Sequence, residues 1–251
     1  MTSQRKFGVV IAGSELLCGK RADRHLLHVI DTLSARGQVV VWCRIVGDEQ
    51  PRLVRELRQT RMDEVPVFCF GGIGATPDDR TRQAAAEAFG VRLRSHADAA
   101  RLIEERFGAA AYPNRIRMAD LPENCRLIPN PCNRIPGFSL NHHHFLPGFP
   151  EMAWPMLDWV LEQYYPPLQE LRLERSLRVL DAHESDLLEL MERLASRHGE
   201  ADLFSLPRLG ETTIVEIGFR GRRAVVEAAM HDLVVALQER SLVFEFAGGE
   251  D

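Results

Sequence analysis

The chain has 251 residues, with 31 Lys and Arg against 36 Asp and Glu, a formal net charge of −5 and 45% hydrophobic residues. That apolar fraction supports a genuine core and excludes a disordered chain, while the mild acidity argues against bulk capture of nucleic acid. No apolar run has the length needed to cross a bilayer, so no membrane partner is expected.

In chain order, "FGVVIAG" predicts a first strand ending at Gly13, and the short apolar run behind the basic start reads as that strand rather than as a leader. A helix follows from about Asp23, with Leu26, Leu27, Ile30 and Leu33 on one face and Gly37 as its stop. "VVVWCRIVGD" is the second strand, ending at Gly47 and Asp48. "PRLVRELRQTRM" is a helix with proline in its first turn and a solvated arginine face at 52, 55, 58 and 61. "VPVFCF" is the third strand and runs into "GGIGATPDDRT". An alanine-rich helix then stops at Gly90, and a helix-like stretch covers Ala97 to Asn114. "CRLIPN" and "FSLNHHHFLPG" are strand candidates, and "PEMAWPMLDWVLEQYY" is a helix ending against Pro166 and Pro167. In the second candidate only His142 and His144 would share a face, which reads as ordinary strand with exposed imidazoles. Met152, Trp154, Met156 and Trp159 read as packing residues.

Beyond the double proline the order becomes β-α-β-β-α-β, the split ferredoxin-like arrangement, with Asp186 in a helix's first turn. The chain thus divides into an α/β domain over 1–166 and a small α+β domain over 167–251. Strand–helix alternation in the first predicts a mostly parallel sheet with right-handed crossovers. Five cysteines form no C-x-x-C pair; Cys43 and Cys69 read as core residues, and a reducing cytoplasm is the expected setting.

In parallel sheets ligands bind beyond the carboxyl ends of the strands. Gly13, Asp48 and Gly71 all fall there. Gly71, Gly72 and Gly74 let a backbone approach a ligand and turn several N–H groups toward it. The turn is neither a P-loop nor G-x-G-x-x-G. Thr76, Pro77, Asp78 and Asp79 alternatively make a plain helix start, with Thr76 as the cap. A phosphate beside two carboxylates would be repelled, and a divalent cation such as Mg²⁺ removes the conflict. Ser14 and Glu15 follow Gly13 on the same edge.

"GSELLCGKRAD", "VGDE", "GGIGATPDD" and "LPGFPEM" together resemble the molybdopterin-binding (MoaB/Mog-like) domain, specifically that of the CinA competence/damage-inducible family, over about residues 5 to 165. "ESDLLELMERL" and "FSLPRLG" are similar to the small KH-type domain that follows it in that family. No G-x-x-G clamp is visible there, so no RNA partner is expected.

The resemblance implies a three-layer α/β/α domain that binds molybdopterin or a nucleotide. Relatives of that fold adenylylate molybdopterin or insert molybdate, and CinA-type domains hydrolyse ADP-ribose-like pyrophosphates with a divalent metal. It carries the family's acids onto Asp79, Asp48, Glu15 and Asp23, gives Pro147 and Gly148 a place in the pocket, and leads to a homo-oligomer. The chain departs from the pattern at His25, Phe70, Asn133 and Ile135, and the larger side chains of Asn133 and Ile135 are expected to narrow the ligand's way in.

Two functions compete. In one, Asp48 and Asp79 hold the metal, the amides of residues 71 to 74 hold phosphate and Glu15 serves as base. In the other, the site senses or carries a pterin or nucleotide without turning it over. A structural or partner-binding protein that has kept the fold is a third reading.

Overall fold

The computed structural model describes residues 5–167, 173–208 and 213–247. Residues 1–4, residues 170–172 of the strand expected at 170–180, residue 212 of that expected at 212–221 and the end of "FSLPRLG" lie outside them. The chain divides into two compact units, Met1–Leu168 and Gln169–Asp251.

The first unit runs β1 (Lys6–Ala12), α1 (Ser14–Leu17), α2 (His25–Ser34), β2 (Val39–Val46), α3 (Gln50–Thr60), β3 (Val67–Phe70) and α4 (Thr81–Phe89). It continues with β4 (Leu93–Ser95), α5 (Ala97–Phe107), β5 (Asp120–Pro122), β6 (Arg126–Ile128), β7 (Gly137–Leu140), β8 (His143–Leu146) and α6 (Pro150–Tyr164). Its main sheet has the order β2-β1-β3-β8-β7-β6. The first four strands are mutually parallel, and β7 and β6 add antiparallel pairs at one edge.

Alternation along the central strands builds the two faces. Phe7, Val9 and Ile11 of β1 and Phe68 and Phe70 of β3 pack with α2 and α6. Val10, Val67 and Cys69 point the other way, against α3, α4 and α5. The result is the three-layer α/β/α domain expected from the sequence. The arginines at 52, 55, 58 and 61 are exposed, opposite buried Leu53, Val54 and Leu57.

Several local expectations are corrected. The buried stripe of α2 is His25, Val29 and Leu33, at i, i+4 and i+8, whereas Leu27 is 71% exposed. Helix α4 begins at Thr81, so Thr76 does not cap it and Pro77 is not its first residue. The helix from Ala97 ends at Phe107 and gives way to 3-10 turns at Gly108–Ala111 and Arg115–Ala119. The short pair β4–β5 had no signal in the sequence reading.

"FSLNHHHFLPG" is not one strand but the hairpin β7–β8, turned at Asn141 and His142 with φ 45° and 61°. His142 therefore lies in the turn. His143 and His144 are 2% and 3% exposed, not on the surface. Each is satisfied internally. His143 Nε2 pairs with the Thr60 hydroxyl at 2.9 Å, while His144 bridges the Ser139 and Tyr165 hydroxyls, both at 2.8 Å.

The second unit runs β9 (Leu173–Leu180), α7 (Glu184–Arg197), β10 (Asp202–Arg208), β11 (Ile214–Gly221), α8 (Arg223–Glu239) and β12 (Phe244–Phe246). Its antiparallel sheet has the order β10-β11-β9-β12, which is the split β-α-β topology expected. Leu177, Val179, Ile217 and Phe219 meet Leu187, Leu190, Leu233 and Leu237 in one core. Asp186 sits in the first turn of α7. No described helix is long and apolar enough to cross a membrane.

Candidate functional site

Four loops gather beyond the carboxyl ends of β1, β2, β3 and β8. Backbone bonds that extend the sheet pin them: Gly13 N–H donates to the Val46 carbonyl at 2.9 Å, and Gly71 N–H to the Leu146 carbonyl at 3.0 Å. Gly71 has φ 95°, and a Cβ there would strike the Ala12 carbonyl. Gly72 has φ 67°, and its Cβ would strike the Thr81 hydroxyl. These two glycines let the chain turn sharply while pressed against its neighbours.

Between the loops lies a cavity of about 440 Å³. Gly13, Glu15, Asp48, Gly71, Gly72 and Gly74 line it. Thr76, Asp79, Pro147 and Gly148 complete the set of expected residues that it brings together. Ser14 and Asp23 are not in its lining. Ser14 borders a shallower hollow beside Asp48, and Asp23 borders a second cavity of about 450 Å³.

Among the described residues the N–H groups of Gly72, Ile73, Gly74 and Ala75 have no protein acceptor, and all four residues line the cavity. The expected grip of residues 71 to 74 is thus shifted by one position, because the Gly71 N–H is spent in the sheet. Consecutive unengaged amides in a glycine turn form an anion-binding concavity.

The carboxylates have local work as well. Asp79 Oδ2 accepts from the Thr76 N–H at 2.8 Å and from the Thr76 hydroxyl, closing residues 76 to 79 into their own turn. Asp48 Oδ2 accepts from the Ser14 N–H at 2.8 Å, and the Asp48 N–H returns a bond to Ser14 Oγ at 3.1 Å. This reciprocal pair ties the loop after β1 to the loop after β2. Among the described residues no group donates to Oδ1 of either aspartate or to the Glu15 carboxylate. Among the described residues no three His, Cys, Asp or Glu side chains cluster closely enough to hold a metal alone. Any cation here would need oxygens from a ligand, as Mg²⁺ at phosphate sites ordinarily does.

Asp23 is a capping residue. Its two oxygens accept from the His25 and Leu26 N–H groups, each at 2.9 Å. His25 is buried and stacks on Phe70, and its Nε2 donates to the Gly148 carbonyl at 3.2 Å. Burial pushes the His25 pKa below its ordinary value, outweighing the Gly148 bond. Phe70 therefore does not obstruct the main cavity. It floors the second one. Asn133 and Ile135 line the main cavity. Asn133 also shapes its own loop by accepting from the Ile135 N–H at 2.9 Å.

Sequence reasoning missed Arg21, Asn130 and Met118 in the lining. Arg21 and Asn130 stood inside quoted motifs, and only their positions there hinted at a role. Met118 carried no signal.

Residues 8–169 match the model of the probable molybdopterin binding domain. A CinA-like protein of Geobacter sp. (strain M21) is 32% identical over 195 residues, covering 74% of this chain and 47% of its own. A putative competence-damage inducible protein of Clostridium botulinum (strain Kyoto / Type A2) is 27% identical over 217 residues, covering 83% and 53%. The chain thus spans about half the length of these relatives. Among solved structures, CinA of Thermoplasma acidophilum, described as of unknown function, superposes with TM-score 0.59 at 27% identity. That match covers 64% of this chain and 98% of the other. With its motifs, its three-layer fold and its matched residues in agreement, the chain belongs to the molybdopterin-binding domain family.

Proposed function

We propose that the first unit binds a phosphorylated pterin or nucleotide in the main cavity, with a divalent cation beside its phosphates, and hydrolyses ADP-ribose-like diphosphates. The observation that carries this reading is the row of unengaged amides from Gly72 to Ala75. It lies in a lining that holds four carboxylates, Glu15, Asp48, Asp78 and Asp79, against one guanidinium, Arg21. The amides favour an oxyanion, while the carboxylates repel one unless a cation accompanies it. The family match and the CinA-like relatives support the ligand class.

The donor set suits Mg²⁺ or a similar hard cation, since Oδ1 of Asp48 and of Asp79 is uncommitted. Such an ion would draw negative charge off the phosphate oxygens. The chain's own residues supply the remainder. The amide row orients the phosphate, Arg21 offers a second, cationic contact to it, and the unbonded Glu15 carboxylate takes a proton from water as the water oxygen bonds to one phosphorus and the P–O–P bridge breaks, the other phosphate leaving.

A second reading, binding without turnover, is favoured by one observation: Oδ2 of both aspartates is already spent in holding the loops. Incubation with ADP-ribose and Mg²⁺ separates the two. AMP that forms and is lost in Asp79→Asn supports hydrolysis; calorimetric binding without AMP leaves the carrier. AMP undiminished in the variant removes Asp79, and no binding of ADP-ribose, pyrophosphate or Mg²⁺ ends both readings. A homo-oligomeric state belongs to the same proposal and is read by light scattering.

A further inference from the structure

Arg82 stands in α4 with only 3% of its surface exposed. A buried guanidinium ordinarily answers a carboxylate. This one is hydrogen-bonded to backbone carbonyls alone. Its Nη2 donates to the Gly74 carbonyl at 2.7 Å, and its Nη1 donates to the carbonyls of Arg117 and of Asp120, the latter at 2.9 Å. Three separate segments are therefore held by one side chain: the glycine turn, the 3-10 turn at Arg115–Ala119 and the start of β5.

The bond to Gly74 has a directional consequence. The Gly74–Ala75 peptide is trans, so its C=O and N–H point in opposite directions. With the carbonyl drawn inward to Arg82, the Ala75 N–H is turned away from the helix, on the side where Ala75 lines the cavity. That N–H finds no protein acceptor. A two-fork donor is suited to this because it fixes the plane of the peptide as well as its place.

We propose that Arg82 is the positioning residue of the amide row, setting the Gly74–Ala75 peptide so that its N–H meets an oxyanion of the ligand. The inference rests on the phosphate reading given above. It adds that the row is held from behind by a buried cation that never touches the ligand. Loss of Arg82 frees the peptide to rotate, and the row loses its last donor while the glycines remain.

The test uses the full-length chain, inorganic pyrophosphate with Mg²⁺, and two readouts: calorimetric affinity and the amide proton resonances of Gly72 to Ala75. In the unsubstituted protein pyrophosphate binds and shifts the Ala75 amide. In Arg82→Ala affinity falls by about tenfold or more, the scale of a lost charge-assisted hydrogen bond, and the Ala75 response disappears. Millimolar guanidinium restores both, which a merely loosened fold would not allow. If Arg82→Ala does not melt cooperatively, Arg82→Lys gives the same readouts, because an ammonium keeps the charge without the fork. Unchanged affinity and an unchanged Ala75 response in a folded variant overturn the inference and leave the phosphate reading intact. Absence of any pyrophosphate response in the unsubstituted protein overturns both.

Discussion

His25 stacks on Phe70 with ring centroids 4.4 Å apart and planes within 18° of parallel. These are two of the four positions at which the chain departs from the pattern it resembles, and in space they are one unit. Phe70 closes the end of β3, and His25 opens α2 above it. The ring at one position is matched by the ring stacked on it at the other.

Substituting them singly and together measures that match. Phe70→Ser is expected to cost about 3–5 kcal/mol and His25→Asn about 1–2 kcal/mol, as large-to-small changes in packed sites do. The double variant should cost less than their sum by about 0.5–1.5 kcal/mol, the scale of an aromatic pair. Urea unfolding of the four proteins gives the cycle. Strict additivity would show the stack to be incidental.

His143 and His144 set the acid limit of the first unit. Burial pushes His143 down to about 4 and His144 down to about 3 from an ordinary 6.5. Both are neutral in the folded chain, so the unfolded chain binds more protons once the pH drops below 6.5. Their contribution is complete above that value and is lost as pH falls from 6.5 toward 4 and 3. Unfolding free energy should decline with a slope approaching about 2.7 kcal/mol per pH unit, two protons' worth. Urea melts between neutral and pH 4 check it, and His144→Gln should halve the slope.

Gly71 and Gly90 share a left-handed backbone but not a surrounding. Gly90 has φ 70° with nothing within 4 Å of an added Cβ, whereas Gly71 would drive one into the Ala12 carbonyl. Gly90→Ala should therefore cost about 1 kcal/mol, the backbone penalty alone. Gly71→Ala should cost at least about 2–3 kcal/mol more and reduce pyrophosphate binding. Thermal melts and calorimetry on both proteins give the comparison.

Asp48 has one oxygen in the Ser14 pair and one free. Asp48→Asn retains a carbonyl for the Ser14 N–H but removes the negative charge a cation needs. Pyrophosphate binding should keep its affinity without Mg²⁺ and lose most of the enhancement that Mg²⁺ brings, by about tenfold. Titrations with and without the ion decide it. Full enhancement in the variant would place the cation elsewhere.

Strands β1, β2 and β3 were legible because each is a run rich in β-branched and aromatic residues that stops at a glycine. The hairpin was not, since Asn141 and His142 take left-handed angles without the glycine that normally signals such a turn. The stripe of α2 was misread because its first member is a histidine, which a count of apolar positions passes over. At the site, sequence named the glycines but not which amide was free. Gly71 yields its N–H to a neighbouring strand, and Ala75, an unremarkable residue, takes its place in the row. Arg82 in an alanine-rich helix looks like surface, because composition does not reveal that a cation has been folded inward.

The donors from Gly72 to Ala75 belong to the main chain, so exchanging the wall side chains, apart from Arg82 behind the row, leaves those donors in place. Side chains furnish only the walls: a histidine on a phenylalanine in one, an isoleucine and an asparagine in another. Point substitutions in those walls would reshape the space for an organic group, whereas altering the donors takes a change in the turn itself or in the arginine that holds it.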